Sequence, residues 1–138
     1  MRRAANAAGL LAMALSSCAP AMVEATGELV ELPEGAIVRK DLYEYATVLK
    51  YRVIQTHRGA LPHETVLVAH YNPHKPRGEA ADEWVTDVGG NVKAFVPGER
   101  HRMVLEPDAE RRFEGGIVNL YYEEPGDIYW AVRTDYAD

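Results

Sequence analysis

From Tyr43 to Val53, every second residue falls on one face: Tyr43, Tyr45, Thr47, Leu49, Tyr51 and Val53. Successive side chains of an extended chain point to opposite sides, so a repeat of two marks a strand. The other face is divided. Ala46, Val48 and Ile54 are apolar, whereas Glu44, Lys50 and Arg52 are charged. One side of this strand is therefore continuous, and the other is half wet and half buried. A strand running from about Tyr43 to Thr56 is longer than most, and such strands bend around a barrel or bulge.

The rest of the chain reads as shorter strands between glycine and proline turns. Glu28 to Leu32 is a first strand, stopped by Pro33-Glu34-Gly35. Glu64 to Tyr71 places Val66, Val68 and His70 on one face and Leu67, Ala69 and Tyr71 on the other, which predicts a central strand buried on both sides. Val92 to Val96, His101 to Glu106 (Met103 and Leu105 inward), Ile117 to Tyr122 and Ile128 to Thr134 complete the set. Residues 79–88 predict a short helix carrying Trp84, and 107–114 a single helical turn. The expected architecture is mainly β: one antiparallel barrel or sandwich of five to seven strands over residues 28–138, with one or two short helices.

The amino terminus reads as an export signal. Met1-Arg2-Arg3 is followed by an apolar run from Ala4 to Leu15, and then by Leu15-Ser16-Ser17-Cys18. The run of about a dozen residues is too short to span a bilayer as a helix. It resembles a bacterial lipoprotein processing site, which would make Cys18 the lipidated residue at the head of a tether over 18–27. Ala19-Pro20-Ala21 is a rival cleavage pattern that would release a soluble secreted form. The expected location is the cell envelope, with the domain facing the periplasm or the exterior and held to the membrane by its lipid.

Without residues 1–17 the chain keeps 13 basic against 21 acidic side chains, a formal charge of −8. Phosphate backbones need a basic face, so nucleic acid is not an expected partner. Cys18 is the only cysteine, so the domain has no disulfide and depends on its core. Ser16 and Ser17 are the only serines, and both lie in the signal. Serine and cysteine nucleophiles are thereby excluded from the mature chain.

The strand Tyr45-Ala46-Thr47-Val48-Leu49-Lys50-Tyr51-Arg52-Val53-Ile54, the Arg58-Gly59 turn and the strand Val66-Leu67-Val68-Ala69-His70-Tyr71 carry a resemblance. Together with Pro97-Gly98-Glu99, His101 to Glu106 and Tyr129-Trp130, they resemble small secreted β-domains found beside bacterial exopolysaccharide O-acetylation systems of the alginate type. The first half is also similar to netrin-like, OB-type barrels, although those depend on disulfides and a free amino-terminal cysteine that this chain lacks. The resemblance implies an OB or netrin-like barrel in an accessory, non-enzymatic role. The acyl-transferring partners of such systems use a serine site that this chain cannot supply.

Two clusters could carry chemistry. The loop from His70 through Tyr71, Asn72, His74 and Arg77, with Trp84 beyond it, combines ring faces, an amide and cations in a proline-stiffened frame. It is the candidate ligand site, suited to a sugar or a carboxylate; a packed loop capping the barrel with Trp84 as its plug is the reading that these residues favour. His70, His74 and His101 are the candidate metal ligands, although their spacing matches no tight motif. No cofactor is expected. Glu123, Glu124 and Asp127 share a turn and are the carboxylates that a hydrolase reading would need. The expected partner is an envelope protein or a polysaccharide.

Overall fold

The computed structural model describes residues 21–34, 45–75, 77 and 88–138. In chain order its elements are β1 (Val23–Glu31), β2 (Ala46–Arg58), β3 (Thr65–Tyr71), β4 (Arg100–Pro107), α1 (Ala109–Arg112), β5 (Ile117–Val118) and β6 (Ile128–Tyr136). The hydrogen-bonded order is β1-β4-β6-β3-β2-β5, and β1 also pairs with β2, so five strands close into a barrel and β5 adds two residues beside β2. The barrel reading holds and the sandwich does not.

The barrel is mainly antiparallel, as expected, with two parallel pairs. β3 and β6 run parallel, from Leu67↔Ile128 to Ala69↔Trp130, as do β2 and β5. Five strands in a closed ring cannot alternate direction all the way round, so at least one neighbouring pair must be parallel. The seam falls between β3 and β6.

β1 begins at Val23 rather than Glu28, so residues 23–27 are barrel wall and not tether. Val23, Ala25 and Leu29 point inward, and Glu24, Thr26 and Glu28 lie on the outside. The small Ala25 and Gly27 disguise the alternation. For Gly27 the cause lies in packing: a Cβ there would stand 3.2 Å from both Cβ and Cδ1 of Tyr51. β1 and β2 pair with register shifts at three places, the bulges expected of a strand that bends around a barrel.

From Ala46 to Arg52 the division of β2 is as its sequence suggests, whereas Ile54 is exposed, and Tyr43 and Glu44 lie outside the described residues. Thr47, Leu49 and Tyr51 face the barrel interior, Ala46 and Val48 are buried on the outer side, and Arg52 is exposed. The interior is filled by Val23, Leu29, Leu49, Tyr51, Val68, Met103, Leu105 and Ala131. A second apolar layer covers the outer faces of β2, β3 and β6: Val48, Leu67, Tyr71, Tyr121 and Trp130 pack beneath α1, with Phe113 stacked on Trp130 at 4.9 Å and 12°. Each buried Leu, Val or Met contributes roughly 1.5–3 kcal/mol relative to exposure. Outside β1, the cross-strand pairs Glu28–Arg52 and Glu24–Arg102, both at 2.7 Å, decorate a wet face.

Two other expectations change. Residues 92–96 form no strand: Val92 N–H donates to the Thr134 carbonyl at 3.3 Å, and Val92 and Phe95 drop into the barrel mouth. The approach there is so close that a Cβ on Gly90, at φ +107, would collide with the Thr134 backbone. The strand predicted over Ile117 to Tyr122 stops at Val118, because Asn119 Oδ1 accepts from Tyr121 N–H and starts a turn.

Candidate functional site

At one end of the barrel, alternation on β2, β3 and β4 turns Tyr51, His70 and His101 inward. The Tyr51 hydroxyl sits between the two imidazoles, 3.0 Å from His70 Nε2 and 2.9 Å from His101 Nδ1. His101 Nε2 lies 3.2 Å from Glu99 Oε2 at the rim. The direction of the chain follows from its acceptor-only end. The Glu99 carboxylate can only accept, so His101 carries its hydrogen on Nε2 and offers Nδ1 to the Tyr51 hydroxyl. Tyr51 oxygen then accepts from His70 Nε2–H. His70 Nδ1 is left as a buried acceptor with no partner among the described residues.

Burial sets the electrostatics of this node. It pushes His70 well below the usual imidazole value, helped by the nearby Arg77 guanidinium and by His101. His101 is lowered by the same burial, with Glu99 pulling the other way. Burial also raises the Tyr51 phenol well above its ordinary value. Arg77 is itself buried, its guanidinium 5.2 Å from the Phe95 ring centroid and its Nη1 donating to the Val92 carbonyl at 3.4 Å. Phe95 closes the mouth against His70 at 4.6 Å and His101 at 5.5 Å. The node joins three strands and the 88–95 segment.

The expected residues are thus redistributed. His70, Arg77 and His101 come together beside the Tyr51 hydroxyl. Among the described residues, no three His, Cys, Asp or Glu side chains could hold a metal ion, so the His70, His74 and His101 trio finds no support as ligands. Tyr71 turns to the opposite face of β3, where it is 1% exposed and packs on Phe113 at 5.5 Å. Asn72 adopts φ 47 and ties the loop to β2: its N–H donates to the Tyr45 carbonyl at 2.9 Å, and its Oδ1 accepts from Tyr45 N–H at 3.3 Å. The ring of Tyr71 and the amide of Asn72 are used within the fold. His74 is half-buried. Trp84 and Cys18 lie outside the described residues.

The accessible site lies elsewhere. A groove of about 470 Å³ opens between the β2–β3 loop and the β5–β6 loop. Leu61, Pro62, Val66 and Pro125 give it apolar walls, and His63, Glu124, Asp127 and Tyr129 give it polar groups. Tyr129 is 8% exposed. Its phenol is pushed up by burial and by the charge of Asp127. Glu124 is engaged at 2.6 Å by Lys50, whose ammonium also lies 4.8 Å from the Tyr121 ring centroid. Comparison with known proteins finds no matching family model, no similar curated protein and no similar solved structure. Function therefore rests on the geometry of this chain alone.

The groove escaped sequence reasoning because its two walls are about sixty residues apart in a chain whose strand order was unknown. The one signal was a pair of proline turns, Leu61-Pro62 and Pro125-Gly126, beside aromatic and acidic residues. Tyr51 was visible as an inward residue, but nothing in the sequence links its hydroxyl to two histidines on other strands. Among the described residues no helix is long and apolar enough to cross a membrane.

Proposed function

We propose that the chain is a non-enzymatic envelope lipoprotein, anchored through Cys18, whose barrel presents a carbohydrate-facing groove as an accessory to exopolysaccharide modification. The observation that carries this reading is the groove between the β2–β3 and β5–β6 loops. Its volume falls within the range of about 300–1,000 Å³ usual for small-molecule sites. Sugar recognition needs an apolar wall for ring carbons and convergent acceptors for hydroxyls. Leu61, Pro62 and Val66 supply the first, and His63, Asp127 and Tyr129 the second. The carboxylates make the groove a poor host for uronate chains and a better one for neutral or amino sugars.

The test is an NMR titration of the full chain with a neutral tetramer of N-acetylglucosamine. Saturable shifts confined to Val66, Leu67, Asp127 and Tyr129, weakened by Tyr129→Phe, are expected. Absence of shifts, or shifts at another surface, overturns the reading. A second reading, a carboxylate hydrolase, is favoured by Glu124 and Asp127 sharing one groove. Release of shorter sugars during the same incubation would replace the first reading with it.

A further inference from the structure

Residues 92–95 cover the barrel mouth between two firm anchors. On one side Gly89 N–H donates to the Val132 carbonyl at 2.8 Å, and Asn91 Oδ1 accepts from Tyr136 N–H at 2.8 Å. On the other, Gly98 N–H donates to the Leu29 carbonyl at 2.7 Å. Between the anchors the bonds are long. Val92 N–H reaches the Thr134 carbonyl and Arg77 N–H the Lys93 carbonyl at 3.3 Å; Arg77 Nη1 reaches the Val92 carbonyl and the Tyr136 hydroxyl the Ala94 carbonyl at 3.4 Å. Gly90 (φ +107) and Gly98 (φ +94) flank the segment in conformations that other residues seldom adopt. The segment is held down chiefly by Val92 and Phe95, 1% and 5% exposed, with the Phe95 ring against His70 and His101.

Beneath this strap the mouth is polar. Thr47 and His70 are direct partners in the β2–β3 register, and both are buried. Thr47 Oγ1, His70 Nδ1 and Thr134 Oγ1 are buried without a hydrogen-bond partner among the described residues. Such atoms gain water when the mouth opens, which lowers the cost of opening. The surroundings of His70 do not support a proton. β2 presents the neutral Tyr51 phenol, β4 presents His101, and the Arg77 guanidinium stands by Phe95; Lys93, on the strap itself, is exposed. The carboxylate of Glu99 touches His101 rather than His70. A proton on His70 therefore lands on Nδ1, finds no acceptor there among the described residues, and adds positive charge near Arg77, which ties the strap through Val92 and Lys93. Water relieves both penalties once the strap lifts.

We propose that residues 92–95 form an acid-released strap: protonation of His70 frees the segment from the barrel mouth, between Gly90 and Gly98, while the barrel stays closed. Release uncovers Val92 and Phe95 and admits solvent to Thr47, His70 and Thr134. The strand ladders lose only the bond from Val92 to Thr134. The switch is independent of the carbohydrate reading, because the groove lies between other loops.

The test is hydrogen exchange on the full chain, followed amide by amide by NMR and expressed as protection relative to an unstructured peptide. Protection at Val92 is expected to be lower than at Met103 in β4. It should ignore about 1 M urea, because lifting a strap exposes little surface, whereas Met103 should respond. Between pH 7.5 and 5.0 Val92 protection should fall about thirtyfold, the ratio for one histidine that is neutral when covered and titrates at about 6.5 when open. His70→Gln should cut that fall to about fivefold or less. If Val92 and Met103 share one urea dependence, the mouth opens only with the whole barrel and the proposal is overturned. It is equally overturned if Val92 protection is flat with pH in the parent, or falls as steeply in His70→Gln. The urea and pH comparisons on the parent need no variant, so they decide the matter even where His70→Gln does not fold.

Discussion

The buried histidine node makes stability depend on pH in a direction that can be worked out. His70 is 0% exposed, and its imidazole is held well below the ordinary value by burial and by Arg77. A histidine that resists protonation when folded takes up its proton on unfolding, so the unfolded chain binds more protons and is favoured by acid. The stabilisation is complete above the unfolded histidine value of about 6.5 and is lost as pH falls through it. One histidine gives a slope of at most about 1.4 kcal/mol per pH unit, which sets an upper bound of about 2 kcal/mol between pH 7.5 and 5.0. His101 adds a smaller share of the same sign, because Glu99 opposes its burial. A loss of about 2 kcal/mol is a large part of the ~5–15 kcal/mol that holds a domain together, and it moves a urea midpoint by about 1 M. Trp130, fully buried, is the fluorescent reporter in a Trp84→Phe background, since the chain has two tryptophans. His70→Gln keeps a donor toward Tyr51 and removes the titration. It should be less stable at pH 7.5 but lose up to about 2 kcal/mol less than the parent on acidification to pH 5.0. Parallel stability curves for the two proteins would refute the reasoning.

Three further outcomes follow from the packing. Tyr51→Phe removes the hydroxyl shared by His70 and His101 and leaves two buried ring nitrogens without their partner; a loss of about 2–4 kcal/mol in urea unfolding is expected. Gly27→Ala forces a methyl to 3.2 Å from the Tyr51 side chain; a cost of about 1–3 kcal/mol, with shifted histidine ring resonances, is expected. Phe113→Ala uncovers Trp130, on which it is stacked at 4.9 Å. It should cost roughly 3 kcal/mol and move the tryptophan emission toward the red, as solvent reaches the ring.

The sequence by itself determined the β class, the turns and the faces of the strands. Alternation in β2 and double-sided burial in β3 are local properties, because the two-residue period is written into the backbone. Even the break in the outer face of β2 was legible, at the change from Ala46 and Val48 to Lys50 and Arg52. The same alternation failed at β1, where Gly27 has no side chain in a place that the Tyr51 ring closely approaches, a reason that lies on another strand. Tertiary structure alone decided which strands are neighbours. The parallel β3–β6 seam follows from closing an odd ring, a global constraint that no window of sequence contains. It brought His70 and His101 onto one tyrosine hydroxyl, turned Tyr71 and Asn72 into packing residues, and set Leu61-Pro62 opposite Pro125-Gly126 to open the groove. Patterning is a one-dimensional property, whereas a site is a meeting of residues distant in sequence, made only when the barrel closes.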